Sequence, residues 1–320
     1  MKKLIYLITF FGLSLQAQTN VTSKGISNSN YNVSEDNVIK TLAYLTSDEL
    51  EGRDSGSKGI EKASVYLENL LKENGIKPYF KTYRDTLLNY EKTSYNIVGY
   101  IEGTDKKLKN EFVIIGAHYD HIGKIASVNG DDIGNGANDN ASGTTAVTEI
   151  AKYFAKFKNN KRSILFVFFS AEEKGLLGSR HLAAKLKEQK LDLYFMFNIE
   201  MIGVPMKDKG MDFYLTGFGK SNMAAKMNEY SGEKLVGYLP IETKYMLFRA
   251  SDNYPFFTEF NVPAQTVSTF DFENFEFYHQ PDDEFELMDT KHMAQVISKT
   301  IPVLEKMINA PTKEIKLNEK

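Results

Sequence analysis

The sequence alternates continuous apolar segments with segments of helical periodicity, and this alternation constrains its fold more than any other feature. Apolar segments at residues 111–118, 163–169 and 191–199 are typical of strands buried on both faces of a sheet. Segments at 142–157 and 177–189 have the apolar spacing of helices. Strands that alternate with helices predict an α/β fold, with helices on both faces of the sheet.

The rest of the chain continues this pattern without a repeat or a long linker. Further elements are predicted as strands at 95–101 and 211–216 and helices at 38–45, 58–74 and 291–309. Residues 18–34 are polar and rich in Ser, Asn and Thr, which is typical of a flexible lead-in. We therefore expect a single domain over residues 35–320.

The first residues have the composition of a secretory signal. Lys2 and Lys3 precede a short apolar run that ends near Ala17, so residues 1–17 are predicted to be a signal peptide cleaved after Ala17. A buried first strand or helix is the alternative. The apolar run is short for a membrane span. We expect a secreted or periplasmic protein with no membrane attachment after cleavage.

Composition limits both the partners and the metal chemistry. The chain has no cysteine, so disulfides and thiolate metal sites are excluded and any metal must be held by His, Asp and Glu. Its formal net charge is −3, and no basic surplus points to nucleic acid. Neither a His-Glu-x-x-His helix nor a Gly-x-Ser-x-Gly elbow occurs.

Side chains of the types that bind metals follow three of the predicted buried strands. They are His118, the pair Glu172 and Glu173, and Glu200. In α/β sheets ligands gather beyond the carboxyl ends of the strands, so these side chains are expected to converge. Asp120, two residues after His118, is a natural partner to orient that imidazole.

Other motifs allow two interpretations each. Neighbouring side chains diverge, so one of Glu172 and Glu173 could ligate a metal while the other accepts a proton from the attacking water. Asp139 precedes a helix and is either its N-cap or a carboxylate that bridges two metals. Tyr278, before His279, is either a packing aromatic or a donor to a developing oxyanion.

Five segments, in this order, resemble the M28 family of zinc aminopeptidases over about residues 41–309. They contain, in turn, His118 with Asp120, Asp139, Glu172 with Glu173, Glu200, and Tyr278 with His279. The resemblance implies a central mixed, mostly parallel sheet in a three-layer α/β/α domain. It also implies two zinc ions per chain, a peptide as substrate and Glu172 as the general base.

The same resemblance implies how the ligands divide. One zinc ion would be held by His118, Asp139 and Glu200, and the other by Asp139, Glu173 and His279, with Asp139 bridging. The family usually has Asp where this chain has Glu200, which is one methylene longer and can still bind zinc, with the ion in a different position. The other histidines, His121, His181 and His292, are given no metal role.

Two further segments resemble the family outside these five. Glu51-Gly-Arg53 lies between two predicted helices and is either a simple connection or the family's Glu-Gly-Arg segment. The segment at 249–256 resembles a family Ser-Asp-His sequence, but Asn253 replaces the His, and we expect it to shape the pocket.

The expected activity is therefore removal of N-terminal residues from peptides by a metallo-aminopeptidase. A glutaminyl cyclase, which shares this fold and uses one zinc ion, is an alternative, as is a carboxypeptidase with Arg249 as anchor. A non-catalytic binding protein should have lost the base or a ligand, whereas this chain keeps all of them. The sequence predicts no oligomeric state.

Overall fold

The computed structural model describes residues 31–319. The predicted signal peptide at 1–17 and most of the predicted lead-in at 18–34 lie outside these residues. Within the described range, no helix combines the length and apolar character needed to cross a membrane.

A nine-stranded mixed sheet forms the centre of the molecule, in the order β1-β3-β7-β4-β8-β11-β9-β10, with β2 also paired to β3. The central strand β4 runs parallel to both β7 and β8, and β11 runs parallel to β8. The strands are β1 (Lys77–Pro78), β2 (Arg84–Thr86), β3 (Tyr95–Ile101), β4 (Glu111–His118), β5 (Gly123–Val128), β6 (Asp131–Gly134), β7 (Ser163–Phe169), β8 (Asp192–Ile199), β9 (Phe213–Leu215), β10 (Val236–Gly237) and β11 (Ala264–Ser268).

Helices cover both faces of the sheet. They are α1 (Glu35–Leu45), α2 (Lys58–Glu73), α3 (Gly143–Phe157), α4 (Leu177–Glu188), α5 (Met223–Ser231), α6 (Pro240–Lys244), α7 (Asn253–Phe260) and α8 (Thr290–Asn309). Side-chain caps begin two of them: Ser57 Oγ accepts the backbone N–H of Ile60 at 3.2 Å, and Asp289 accepts that of His292 at 2.8 Å.

Alternate residues of the central strands enter two separate cores. In β4, Val113 and Ile115 pack with helices α1, α2, α3 and α8, whereas Ile114 packs on the other face with α4 and α7. A strand covered on both faces must be apolar at every position, and this explains its uninterrupted apolar run. The expected α/β fold with a mixed central sheet is confirmed.

Strand β11 and the hairpin of β5 with β6 are not predicted from the sequence. Strand β11 is buried but polar in the middle, where Gln265 donates to the carbonyl of Gly217 at 2.7 Å and Thr266 donates to Asn253 at 2.8 Å. These bonds satisfy the buried polar groups, so the strand needs no apolar run. Its pairing with β8 extends the sheet beside the residue that follows β8, Glu200.

Candidate metal centre

Three neighbouring parallel strands deliver most of the candidate ligands to one edge of the sheet. His118 is the last residue of β4, Glu172 and Glu173 follow the end of β7, and Glu200 follows the end of β8. Because β4 lies between β7 and β8, their carboxyl ends are adjacent. The sheet therefore brings together the residues that the sequence places at strand ends.

One set of facing ligand atoms surrounds His118. Its Nε2 atom lies 3.3 Å from Asp139 Oδ1 and 3.3 Å from Glu200 Oε1. His118 is buried, and the Glu200 side chain is 18% exposed. A carboxylate oxygen of Glu172 lies within 4.8 Å of the ligand atoms of His118 and Glu200.

A second set surrounds His279 and shares Asp139. The Nε2 atom of His279 lies 3.2 Å from Asp139 Oδ2 and 3.3 Å from Glu173 Oε2. Asp139 thus presents one carboxylate oxygen to each imidazole. This is the arrangement expected of a carboxylate that bridges two cations.

The spacing of these atoms fits zinc. Bonds of about 2.0–2.1 Å at tetrahedral angles place neighbouring ligand atoms about 3.3 Å apart. The four imidazole–carboxylate distances measure 3.2 or 3.3 Å. The Nε2 atom of His279 is buried and makes no hydrogen bond to any part of residues 31–319, as expected of an atom reserved for a metal.

Asp139 is held in place by a second carboxylate, that of Asp283. The backbone N–H groups of Asn138 and Asp139 donate to Asp283 Oδ1 at 2.8 Å and Oδ2 at 3.0 Å. Helix α3 begins only at Gly143, and Asp139 has non-helical angles, so it does not cap that helix. The peptide bond from Asp139 to Asn140 is cis.

Asp120 contacts different atoms from those expected. Its carboxylate lies 3.7 Å from His118 Nδ1, whereas its backbone carbonyl lies 3.1 Å from the same nitrogen. The carboxylate instead accepts the backbone N–H groups of Glu172 at 3.1 Å and Glu173 at 3.4 Å. Asp120 therefore orients the turn of the paired glutamates, and only its carbonyl serves the imidazole.

Left-handed backbone conformations cluster at this site. Ala171 has φ +57° just before Glu172, Met201 has φ +50° just after Glu200, and His279 itself has φ +58°. Such angles cost residues with a Cβ about 1 kcal/mol or more and persist where surrounding contacts impose them. Here they turn the ligand-bearing side chains toward a common point.

The electrostatics of the centre suit cations and a proton acceptor. Burial opposes a charge on His279, but the carboxylates of Asp139 and Glu173 outweigh it and raise its pKa to about 10. Burial raises the pKa of Glu172 well above the usual carboxyl range, and nearby Glu200 adds to the rise. The surplus of negative charge thus favours any cation that enters.

A cavity of about 80 Å³ opens beside His118, Glu172 and Glu200. Its apolar wall is formed by Met201, Tyr214, Leu247, Ala250, Phe270 and Phe272. The cavity has room for one side chain next to the candidate metal positions.

Tyr278 stands at the mouth of this cavity and is 41% exposed. Its ring stacks on His279, with centroids 3.9 Å apart, and on Phe270, with centroids 5.5 Å apart. Burial and the surrounding carboxylates raise the pKa of the Tyr278 phenol, which keeps its proton available for donation. Packing and hydrogen-bond donation are therefore compatible at this residue.

Arg53 is fully buried beneath the centre and joins its loops. It donates to the carbonyls of Tyr119 at 2.8 Å, Asn135 at 2.6 Å and Gly136 at 3.0 Å, and also to that of Leu45. Burial lowers its pKa to about 10, which still leaves it charged at neutral pH. The segment that contains Arg53 is therefore more than a connection between helices.

Residues 251–253, at the start of α7, are also buried near the cavity. The amide of Asn253 donates to the carbonyls of Phe248 at 3.1 Å and Ala264 at 3.2 Å. Burial raises the pKa of its neighbour Asp252 to about 8. Asn253 thus fixes the segment next to the pocket and does not enter the metal centre.

His121 also lies at the centre, although no role was predicted for it from the sequence. His121 is buried, and its Nδ1 atom lies 3.0 Å from Glu173 Oε1 and 3.9 Å from Asp139 Oδ2. Its spacing from His118 in the sequence gives no sign of this contact. His181 lies 3.4 Å from Asp85, and His292 is in the first turn of α8.

Comparison with known proteins gives the family to which this chain belongs. Residues 96–303 match the family model described as Peptidase family M28. The chain belongs to this family. Aminopeptidase YwaD of Bacillus subtilis strain 168 is 31% identical over 212 residues, which are 63% of this chain but only 42% of YwaD.

Solved structures share the fold at low sequence identity. A zinc aminopeptidase from Bacillus subtilis, BSAP, superposes with a TM-score of 0.66 at 17% identity, over 90% of this chain and 98% of BSAP. Glutaminyl cyclase of Porphyromonas gingivalis superposes with a TM-score of 0.67 at 16% identity, over 87% of this chain and all (100%) of that chain. These similarities concern the fold, which supports more than one chemistry.

Proposed function

We propose that this chain is a zinc-dependent aminopeptidase with two zinc ions. The observation that carries the proposal is the position of the Asp139 carboxylate between two imidazoles. One of its oxygens faces His118 and the other faces His279, at distances that suit zinc. Glu200 completes the first set and Glu173 the second. Membership of the M28 family and the names of its relatives support the same conclusion.

The residues around the zinc positions have separate tasks. Bound zinc supplies Lewis-acid polarisation of the scissile carbonyl and lowers the pKa of the attacking water. Glu172, whose carboxylate lies within 4.8 Å of the ligand atoms of His118 and Glu200, takes the proton of that water and passes it to the leaving amine. Asp120 holds the backbone of Glu172 for this task.

Tyr278 donates its phenolic hydrogen to the oxygen that becomes negative during the attack. Its ring stack on His279 and Phe270 fixes the phenol at the cavity mouth. The phenol keeps its proton because burial raises its pKa. Its partial exposure leaves the hydroxyl able to reach a bound peptide.

The cavity favours action at the end of a peptide. Its volume of about 80 Å³ accommodates one side chain, and the carboxylates of Glu172 and Glu200 line it. No Arg or Lys side chain among residues 31–319 lines this cavity, so a peptide C-terminal carboxylate would find no cationic side chain there. These observations favour an aminopeptidase over a carboxypeptidase.

We also propose how the whole chain is organised and where the protein acts. We take residues 1–17 to be a signal peptide and residues 35–320 to be one peptidase domain after a flexible lead-in at 18–34. The protein is then secreted or periplasmic, and a peptide is its partner. The positive start and short apolar run of the N-terminus support export.

The function is tested by incubating the zinc-loaded protein with aminoacyl-4-nitroanilides, with and without a chelator. We expect release of nitroaniline that the chelator abolishes and that added zinc restores. In parallel, a peptide that begins with Gln reports ammonia release. Ammonia without nitroaniline would replace the aminopeptidase with a glutaminyl cyclase, and activity that survives complete zinc removal would contradict both.

A further inference from the structure

We propose that His121 is a positioning residue for the second zinc site, where it holds the carboxylate of Glu173 by a hydrogen bond. The inference rests on the proposed two-zinc centre. The test measures zinc affinity, so the role of His121 is decided independently of the proposed peptidase activity.

Glu173 has one imidazole near each carboxylate oxygen, and His121, Asp139 and Glu173 also offer atoms close enough together for a metal. The Oε2 atom of Glu173 lies 3.3 Å from His279 Nε2, which is the spacing of two atoms on one zinc ion. The Oε1 atom lies 3.0 Å from His121 Nδ1, which is an ordinary N–H···O distance. The next carboxylate, Asp139 Oδ2, is 3.9 Å from His121 Nδ1. Glu173 therefore uses one oxygen for the metal and the other for His121.

His121 is packed among other residues of the centre. The residue is buried, its backbone N–H donates to the carbonyl of Arg53 at 3.2 Å, and its ring meets that of His279 edge to face at 5.6 Å. The opposite ring side lies against Gly136, where an added Cβ would come within 2.5 Å of His121 Cγ. A glycine with φ +57° thus makes room for this imidazole under the Asp139 loop.

A fixed ring in this place has a defined effect on the metal site. Carboxylates that ligate metals are themselves hydrogen-bonded, and loss of such a partner typically weakens metal binding about 10- to 100-fold. The first site has one imidazole, that of His118. The second has the imidazole of His279 and, in addition, that of His121, which contacts the ligand Glu173. We expect the second site to bind zinc more tightly for this reason.

The test compares substitutions that keep or remove a donor at the Nδ1 position. The amide nitrogen of His121→Asn can take the place of Nδ1, whereas His121→Gln carries its amide one methylene further out and His121→Leu has no donor. Zinc binding to each folded protein is measured by titration against a chromophoric chelator. His292→Leu, in the first turn of α8, is the matched control.

We expect wild type, His121→Asn and His292→Leu to bind two zinc ions with affinities within about threefold of one another. His121→Leu and His121→Gln should keep one ion at wild-type affinity and bind the other about 10- to 100-fold more weakly. If His121→Leu does not fold, the comparison of Asn with Gln decides the question. Equal losses in Asn and Gln, or no loss in Leu and Gln, would overturn the proposal.

Discussion

Ser55 Oγ donates a hydrogen bond to Asp120 Oδ2 across 3.1 Å, and both residues are fully buried. A carboxylate can only accept, so the hydroxyl proton of Ser55 must point to Asp120. The same Oγ accepts the backbone N–H of Ala171 at 2.9 Å. Ser55 therefore ties Asp120 to the strained residue that precedes Glu172.

Ser55→Ala should reduce both stability and turnover. The substitution leaves the buried N–H of Ala171 unpaired and leaves Asp120 Oδ2 with only the N–H of Glu173 as a donor, which costs about 1–3 kcal/mol of unfolding free energy. Loosening of the Glu172 turn should lower kcat roughly 10- to 100-fold. Urea unfolding and steady-state kinetics measure the two effects.

Ser57→Ala is the matched control for that prediction. Ser57 caps α2 by accepting the N–H of Ile60, so its loss should cost about 1 kcal/mol of stability and leave kcat unchanged. An equal fall of kcat in both variants would show that general destabilisation, and not the contact between Ser55 and Asp120, limits turnover.

Glu200→Asp should weaken the first zinc site although Asp is the residue that usually occupies this place in the family. In this chain Glu200 Oε1 already lies 3.3 Å from His118 Nε2, and a shorter side chain withdraws the oxygen by about one C–C bond. We expect at least a tenfold loss of affinity for one zinc ion, measured by chelator competition. The exposed Glu188→Asp should change nothing, and a tighter site in Glu200→Asp would refute the fit of the longer side chain.

Asp85 provides a pH-dependent contribution to stability away from the metal centre. It is buried, accepts from Lys185 at 2.6 Å and Asn96 at 3.0 Å, and lies 3.4 Å from His181. Burial alone would raise the pKa of Asp85, but these three partners outweigh it and lower the pKa. Because the folded pKa is below the unfolded value of about 3.9, the stabilisation is complete above that pH and is lost as pH falls through the folded pKa.

We therefore expect Asp85→Asn to be less stable than wild type by about 1–3 kcal/mol from pH 7 down to pH 5. The difference should shrink as the pH falls below the unfolded pKa of about 3.9 and should be smallest below the folded pKa of Asp85. Chemical unfolding of both proteins across this range measures it. A difference that is independent of pH would mean that the charge of Asp85 makes no contribution.

The sequence predicts the part of the site that follows from sheet geometry. His118 ends the buried strand β4 and Glu200 follows the buried strand β8, and the carboxyl ends of neighbouring parallel strands meet whatever the details of the loops. The apolar runs of β4, β7 and β8 also predict buried strands correctly, because both faces of these strands are covered. Polar β11 lacks this signal, since hydrogen bonds from Gln265 and Thr266 replace apolar burial.

Contacts made by loops are not predicted in the same way. The role of Asp120 differs from expectation because the backbone N–H groups of Glu172 and Glu173 reach its carboxylate. His121 approaches Glu173 only because the loop at Gly136 leaves space for its ring. Such contacts depend on the relative placement of segments far apart in the chain, and no local pattern encodes them.

If Glu172 is the general base of the proposed two-zinc centre, Glu172→Gln should remove the proton acceptor and leave the metal ligands in place. Zinc content and turnover of an aminoacyl-4-nitroanilide should be measured on the same preparations of wild type and variant. We predict two zinc ions in both proteins and a fall in kcat of about 10²- to 10⁴-fold in the variant, because the amide cannot accept the proton. Turnover within tenfold of wild type, with both ions bound, would contradict the account.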